Sequence, residues 1–345
     1  FRVSGFVNRV FGEAIPMVNG ILNTVEYISK TYGKRNITWV NLREEPIIFI
    51  NGKPYSLRNM SDMINNLIFT GIDSERVLEI ERKFKQDILH EASVNQSMIM
   101  VNDENEKNQS VMHLLPVTDN SVVTLEEVYR RFNEKNPDVQ ISLFRVPVTD
   151  EQAPLATTID DLVRITFANY QDDFVFNCQI GRGRTTTGMI ICSMALSFKS
   201  GEWHSLMTRI KESEAVMGQH ASQDGNQKML LEGYYSCVTE LIGMMKSGSK
   251  AKRKLDYIID LSSDMQNIRE VIYHYHSASM SLQATQKKKE ASLDRATHFL
   301  HRYCMLIVLA EYFEEHLPDE KNPIFSEWLK QHVEYSAILS RITLA

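Results

Sequence analysis

The sequence predicts an α/β fold, a twisted sheet flanked by helices, followed by a helical C-terminal extension. Two observations carry this. Up to about residue 200, short β-branched runs alternate with stretches of helical apolar spacing, and beyond it only the helical spacing persists. A chain of 345 residues that is 43% hydrophobic also has material for a sizeable core, enough for two domains.

Taken in order, residues 37–42 and Ile47–Ile50 are short, apolar and β-branched, and Asn51-Gly52 after the second is a strong turn signal. Residues 75–90 read as an amphipathic helix with heavily charged outer positions. Residues 97–101, 111–115 and 139–146 read as further strands. Between the last two, residues 125–132 are helical, with Thr124 as the N-cap. The polar stretch 102–109 reads as an exposed loop. Residues 158–170 form another helix, followed by a buried strand at Phe174-Val175-Phe176. Helical spacing then recurs at 203–216, 226–245, 264–282 and 293–316. Met244-Met245-Lys246-Ser247-Gly248-Ser249-Lys250 reads as a hinge, so that residues 1–246 form one domain and residues 250–345 a helical extension. No internal repeat is evident.

Charge and composition narrow the function classes. A net charge of −6 argues against a general binder of nucleic acid or anionic membranes, yet leaves room for a local cationic pocket. No run of 18 apolar residues offers a membrane span. The N-terminus has neither an initiator Met nor a signal-peptide core, and the chain reads as a fragment of something longer. The cysteines Cys178, Cys192, Cys237 and Cys304 are widely spaced without a CxxC pair. That suggests neither a zinc site nor a disulfide framework, and favours a reducing, cytoplasmic setting. No metal or other cofactor is expected. His298 and His301, three apart on a helix, read as structural or solvent-facing, and His274 and His276 do not share a helix face. The lysine runs at 250–254 and 287–289 read as exposed helix faces, and the 16 methionines as core filler.

The informative stretch runs Phe174-Val-Phe-Asn-Cys178-Gln179-Ile180-Gly181-Arg182-Gly183-Arg184-Thr185-Thr-Thr-Gly188. An apolar strand ends at a cysteine, a loop with two glycines follows, and an arginine and three threonines open an apolar helix. A thiolate nucleophile is favoured by a helix N-terminus with converging amides. The loop Gln179–Gly183 can turn sharply enough for successive N–H groups to face phosphate oxygens. Arg184 can grip two of those oxygens with its planar fork, and Thr185 places a hydroxyl beside the departing sulfur. A Walker loop would need Gly-Lys-[Ser/Thr], and a dinucleotide fingerprint a glycine or alanine at Thr186. The competing reading is an inert, buried cysteine at a strand end.

Cys-x5-Arg-[Ser/Thr] between a strand and a helix resembles the signature of the protein tyrosine phosphatase superfamily. Three further stretches resemble the paladin-type and cysteine-dependent phytase-like phosphatases. They are Trp39-Val-Asn-Leu-Arg43-Glu44-Glu45 with Asn51-Gly52-Lys53-Pro-Tyr55, then Phe144-Arg145-Val-Pro147-Val-Thr149-Asp150-Glu151-Gln152-Ala-Pro154, and the tail segments around Asp264-Met-Gln266-Asn267 and Phe325-Ser-Glu-Trp328. The resemblance implies a tyrosine phosphatase-like fold, a phosphocysteine intermediate and flanking repeat domains in the full-length protein.

It also implies a general-acid aspartate. Asp150 follows a strand, precedes a helix and lies 28 residues before Cys178. Asp119 repeats the same Pro-Val-Thr-Asp tetrapeptide but lacks the Glu-Gln-Ala-Pro continuation, and reads as a capping or turn aspartate. Asn177 departs from the family pattern, which usually has histidine before the cysteine. Arg182, a second cation inside the loop, suits polyphosphorylated inositols better than a single phosphotyrosine, as does the phytase-like resemblance. Lys53 and Arg43 are candidates to line the same pocket, each set against a solvated surface charge. The expected function is hydrolysis of inositol polyphosphates. The alternatives are a phosphate-binding pseudophosphatase or scaffold, and a protein tyrosine phosphatase.

Overall fold

The computed structural model of the chain describes residues 9–59, 62–67, 69–105, 109–217, 225–318 and 322–344. The elements of its first half are β1 (Val10–Ala14), α1 (Val18–Tyr32), β2 (Ile37–Arg43), β3 (Ile47–Ile50), β4 (Lys53–Ser56), β5 (Arg58–Asn59) and β6 (Asp62–Asn66). Then come α2 (Ser74–Val94), β7 (Met98–Glu104), β8 (Ser110–Pro116), β9 (Val122–Thr124), α3 (Leu125–Lys135), β10 (Ile141–Val148), α4 (Ala156–Ala168) and β11 (Asp173–Cys178). The second half is helical: α5 (Gly183–Lys199), α6 (Glu202–Met217), α7 (Gly225–Leu231), α8 (Ser236–Met244) and α9 (Gly248–Leu261), then α10 (Ile268–Ser279), α11 (Gln286–Glu315), α12 (Phe325–Gln331) and α13 (Val333–Leu339). They fall into two compact units. A sheet unit takes Glu13–Thr149 and Asp172–Ile180, and a helical unit takes Asp150–Gln171 and Gly181–Ala345 with the residues up to Gly12.

In the sheet unit the principal strands run in the order β11-β2-β10. β2 runs parallel to both its neighbours, with Ile37 opposite Asp173 on one side and Ile141 on the other. Every residue of β2 and β11 is buried, which explains why both read as continuous runs rather than alternating ones. β3 pairs antiparallel with β4 and, on its other edge, with β9. The β3–β4 turn has Asn51 and Gly52 at φ 51° and 80°, the type I′ geometry whose twist matches the flanking strands. Ile48, Ile50, Ile88, Ile99, Val101 and Val122 form a core joining α2, β3, β7 and β9. α3 starts with a reciprocal capping box: Glu127 N–H donates to Thr124 Oγ1 at 3.3 Å, and Thr124 N–H to Glu127 Oε2 at 2.9 Å.

The helical unit is organised on α5 and α11. α5 is buried continuously from Arg184 to Phe198, as an all-round apolar helix must be. Phe198 stacks on Phe313 of α11 with ring centroids 4.7 Å apart, and Trp203 meets the same ring edge-on at 5.8 Å.

Several expectations change. The helix expected over 226–245 is broken between α7 and α8, where Gly233 takes φ 78°. The ribbon of β7 and β8 extends into the stretch expected as a loop, of which residues 106–108 lie outside the described residues. Residues 244–250, expected as a hinge, form a corner inside the helical unit, where Ser247 N–H donates to Glu311 Oε1 at 2.8 Å. The compact units therefore divide the chain elsewhere than at 246–250.

The lysine run that follows is not an exposed face. Lys252 and Lys254 are 2% and 0% exposed, paired with Asp256 and Glu314. Burial pushes both ammonium groups below their ordinary range, while the carboxylates oppose it. Among the described residues no helix is long and apolar enough to cross a membrane.

Candidate functional site

The strand–loop–helix segment passes from the sheet unit to the helical unit between Ile180 and Gly181. On the sheet side, Cys178 ends β11 and is 4% exposed. The Gln179 carbonyl accepts from Ile15 N–H at 3.2 Å, and Ile180 is exposed. On the helical side, Gly181 takes φ 78°, a conformation that lets the chain reverse without a Cβ clash. Arg182 is exposed at the N-cap of α5, and its carbonyl accepts from Thr186 N–H at 2.8 Å. The Thr185 hydroxyl is buried and makes no hydrogen bond among the described residues.

Arg184, in the first turn of α5, is 2% exposed. Its Nη2 donates to Asp150 Oδ2 at 3.2 Å. Asp150 lies just beyond β10, with its side chain 58% exposed, and its Oδ1 accepts from Glu151 N–H at 3.0 Å. The fold thus brings together two of the residues named from sequence, 34 positions apart. Asp119 sits in an exposed turn of the sheet unit, closed by Ser121 N–H donating to the Thr118 carbonyl at 2.9 Å. The other cysteines lie elsewhere: burial pushes the Cys192 thiol up, and Cys237 and Cys304 share a hydrogen bond that lowers the first and raises the second.

Residues 40–196, which include Asp150, Cys178 and Arg184, match the model of the PTP-like phytase family, described by inositol hexakisphosphate. Over this segment, a little under half of its length, the chain is similar to that family. Across nearly its whole length the chain is similar to paladin. It is 26% identical to that of Gallus gallus over 335 residues, covering 93% of this chain and 35% of the relative. It is 22% identical to that of Homo sapiens, covering 93% and 34%. The chain therefore spans about a third of the length of the paladins it matches.

Two solved structures from Mitsuokella multacida share the fold. The tandemly repeated protein tyrosine phosphatase-like phytase aligns with a TM-score of 0.57 at 16% identity, over 92% of this chain and 40% of its own. The PTP-like myo-inositol phosphatase in complex with myo-inositol-(1,3,4,5)-tetrakisphosphate aligns with 0.56 at 15%, with the same coverage.

Within the matched segment the residue before the cysteine is held on both sides. Asn177 Oδ1 accepts from Trp39 Nε1 at 2.9 Å, and its Nδ2 donates to the Cys178 carbonyl at 3.4 Å. The asparagine is fully buried and its amide orientation follows from those two bonds. In the sequence Trp39 figures only in the resemblance to phytase-like phosphatases. Its position opposite Val175, on the neighbouring strand, appears only with the sheet register.

The two outlying candidates are placed differently. Arg43 is 3% exposed, with Nε 3.2 Å from Glu45 Oε2 and Nη2 donating to Ser56 Oγ at 2.9 Å. Glu44 and Glu45 are each 2% exposed, so the turn expected to carry solvated or pocket-lining charge is an interior one. Glu44 Oε2 accepts from the Thr149 hydroxyl at 3.0 Å. Lys53 is half-buried, with its ammonium paired to Asp103 of β7 and 5.7 Å above the Tyr55 ring. Among the described residues no group of three or more His, Cys, Asp or Glu is placed to hold a metal ion.

Proposed function

We propose that this domain is a cysteine-dependent phosphomonoesterase acting on inositol polyphosphates. The observation that carries it is the Asp150–Arg184 pair, at 3.2 Å, with Arg184 six residues after Cys178 in the chain and in the first turn of α5. A buried guanidinium facing an exposed carboxylate can exchange that carboxylate for a substrate phosphate, whose geometry its fork fits equally well. The freed Asp150 carboxylate takes up a proton from the incoming phosphate monoanion or from solvent, and can then pass it to the ester oxygen.

In the proposed reaction Cys178 Sγ attacks phosphorus in line as the bond to the leaving oxygen breaks. Arg184 and the amides of Gln179–Gly183 stabilise the charge on the transferring phosphoryl group, and Asp150 protonates the leaving oxygen. Water then attacks the phosphocysteine, giving its proton to the Asp150 carboxylate. The departing thiolate accepts a hydrogen bond from the Thr185 hydroxyl, a role supported by its having no other partner among the described residues. Arg182, exposed inside the loop, supports a polyphosphorylated substrate. The family description and the inositol tetrakisphosphate bound in the Mitsuokella multacida structure support the same substrate class. A second reading, a phosphate-binding scaffold, is favoured by Asn177, which brings no positive charge to the cysteine.

Phosphate release from a panel of inositol phosphates and a phosphotyrosine peptide tests the proposal. Turnover of the inositol phosphates is expected, with Cys178→Ser losing about a thousandfold or more while retaining ligand binding. Arg182→Ala should lose roughly tenfold on inositol hexakisphosphate and much less on a monophosphate. Preference for the peptide would sink the substrate assignment, and binding without turnover by the parental chain would select the scaffold.

A further inference from the structure

The loop that carries Asp150 is held by a residue of the helical tail. Arg302 of α11 is 0% exposed, and its guanidinium gives two N–H groups to the Gln152 carbonyl, from Nε at 3.2 Å and Nη2 at 2.7 Å. The third nitrogen, Nη1, lies 2.9 Å from where a Cβ on Gly183 would stand. One buried fork therefore touches both the loop two residues after Asp150 and the residue just before Arg184. The Phe299 ring lies against its plane, 4.9 Å from the guanidinium carbon.

We propose that Arg302 is the positioning residue of the Asp150 loop, setting the distance between Asp150 and Arg184. This rests on the reading of Asp150 as general acid. Glu151 takes φ 59°, a left-handed conformation disfavoured for a residue with a Cβ, so the turn after Asp150 needs outside support to persist. The Gln152 carbonyl is where that support arrives. A carbonyl gripped by two N–H groups of a fixed plane is fixed in direction as well as distance, which a lysine ammonium does not reproduce. Gly183 has a second use here beyond the sharp turn expected from sequence, since any side chain would meet Nη1. Arg295, seven residues earlier on the same helix face, reaches Glu151 Oε1 at 3.3 Å. Both groups of that outer pair are about half exposed, at 48% and 49%, so the buried arginine is the one that constrains the loop.

Two measurements on Arg302→Ala, Arg302→Lys and Gly183→Ala test this. The first is hydrogen exchange of the amides at 150–155. Exchange there should quicken about tenfold or more in all three variants, while the strand amides of β2 and β11 keep parental protection. The second is kcat on inositol hexakisphosphate, an alkyl ester, against p-nitrophenyl phosphate, whose leaving group needs no acid. In the two Arg302 variants, losing the acid's placement should cost about tenfold or more on the first and less than about threefold on the second, while Gly183→Ala, whose amide belongs to the phosphate loop, is read by exchange alone. Unchanged loop exchange overturns the proposal, and so does an equal loss on both esters. A parental chain that hydrolyses neither ester overturns the enzyme reading instead, and the exchange arm still decides whether Arg302 holds the loop. Gly183→Ala perturbs the contact from the opposite side, so an Arg302→Ala chain that fails to fold leaves the result decidable.

Discussion

Arg43 and Arg184 are both buried arginines paired with a carboxylate in this chain, and they differ in what surrounds the partner. Arg43 and Glu45 are each 3% exposed at the side chain, whereas Arg184 is 1% exposed and its Asp150 partner 58%. A pair sealed on both sides exchanges partners only by exposing an uncompensated charge, which costs several kcal/mol. A pair with one wet member can give up that member to water and take a phosphate instead. Burial of an arginine is therefore no guide to its use. The exposure of its partner is, and by that criterion the proposed ligand role falls to Arg184 while Arg43 pairs inside the turn between β2 and β3.

The contrast yields three expected outcomes. Breaking the exchangeable pair should affect chemistry far more than stability. Asp150→Asn is expected to slow inositol phosphate hydrolysis by about 10²–10⁴-fold and p-nitrophenyl phosphate little. Its thermal unfolding should shift by about 1 kcal/mol or less, because one partner is largely exposed. Equal losses on both esters would move the acid role to another carboxyl, with Asp119 tested next.

Breaking the sealed pair should do the reverse. Arg43→Ala leaves Glu45 buried without its cation and should destabilise the fold by about 3–5 kcal/mol in denaturant titrations. Any protein that remains folded should keep the parental ratio of rates on the two esters. A selective loss on inositol hexakisphosphate would return Arg43 to the substrate pocket.

The smallest effect concerns a carboxyl held by a hydroxyl. Glu13, at the end of β1, accepts from the Thr24 hydroxyl at 2.7 Å, and burial pushes its pKa up to about 7 against that hydrogen bond. Between its unfolded value of 4.5 and about 7, the folded state holds a proton that the unfolded state releases. Stability contributed by this group is thus full below 4.5 and falls as pH rises through that window. Glu13→Gln should remove that slope and stabilise the protein at pH 8 by on the order of 1 kcal/mol, read from melts at pH 4.5 and 8. A parental slope that survives the substitution would assign it to another buried acid, such as Glu81, whose pKa burial also raises.

Much of the local structure was legible beforehand because its causes lie within a few residues. The Asn51-Gly52 turn, the Thr124 cap and the strand at 174–176 follow from φ preference, a side chain reaching its own helix and an unbroken apolar run. Charged residues were harder to read. Lys252 and Lys254 sit in a run that looks solvated, yet their positions fall on the buried face of α9. One is met by Asp256 a turn away, the other by Glu314 sixty residues on. The expected hinge failed for a related reason, because Glu311 satisfies the Ser247 N–H where the chain turns from α8 to α9.

By itself the sequence determined the α/β character of the first half, the helical second half, and the strand–loop–helix order that sets Cys178, Gly181, Arg184 and Thr185 in series. Those are consequences of periodicity, backbone freedom and spacing, all of which act along the chain. Tertiary structure alone decided that Asp150 faces Arg184, that Asn177 is oriented by Trp39, and that Arg302 reaches back 150 positions to the Gln152 carbonyl. A hydrogen bond between distant residues leaves no period in the sequence. A charge or an amide is equally compatible with water and with a buried partner until the packing removes the water.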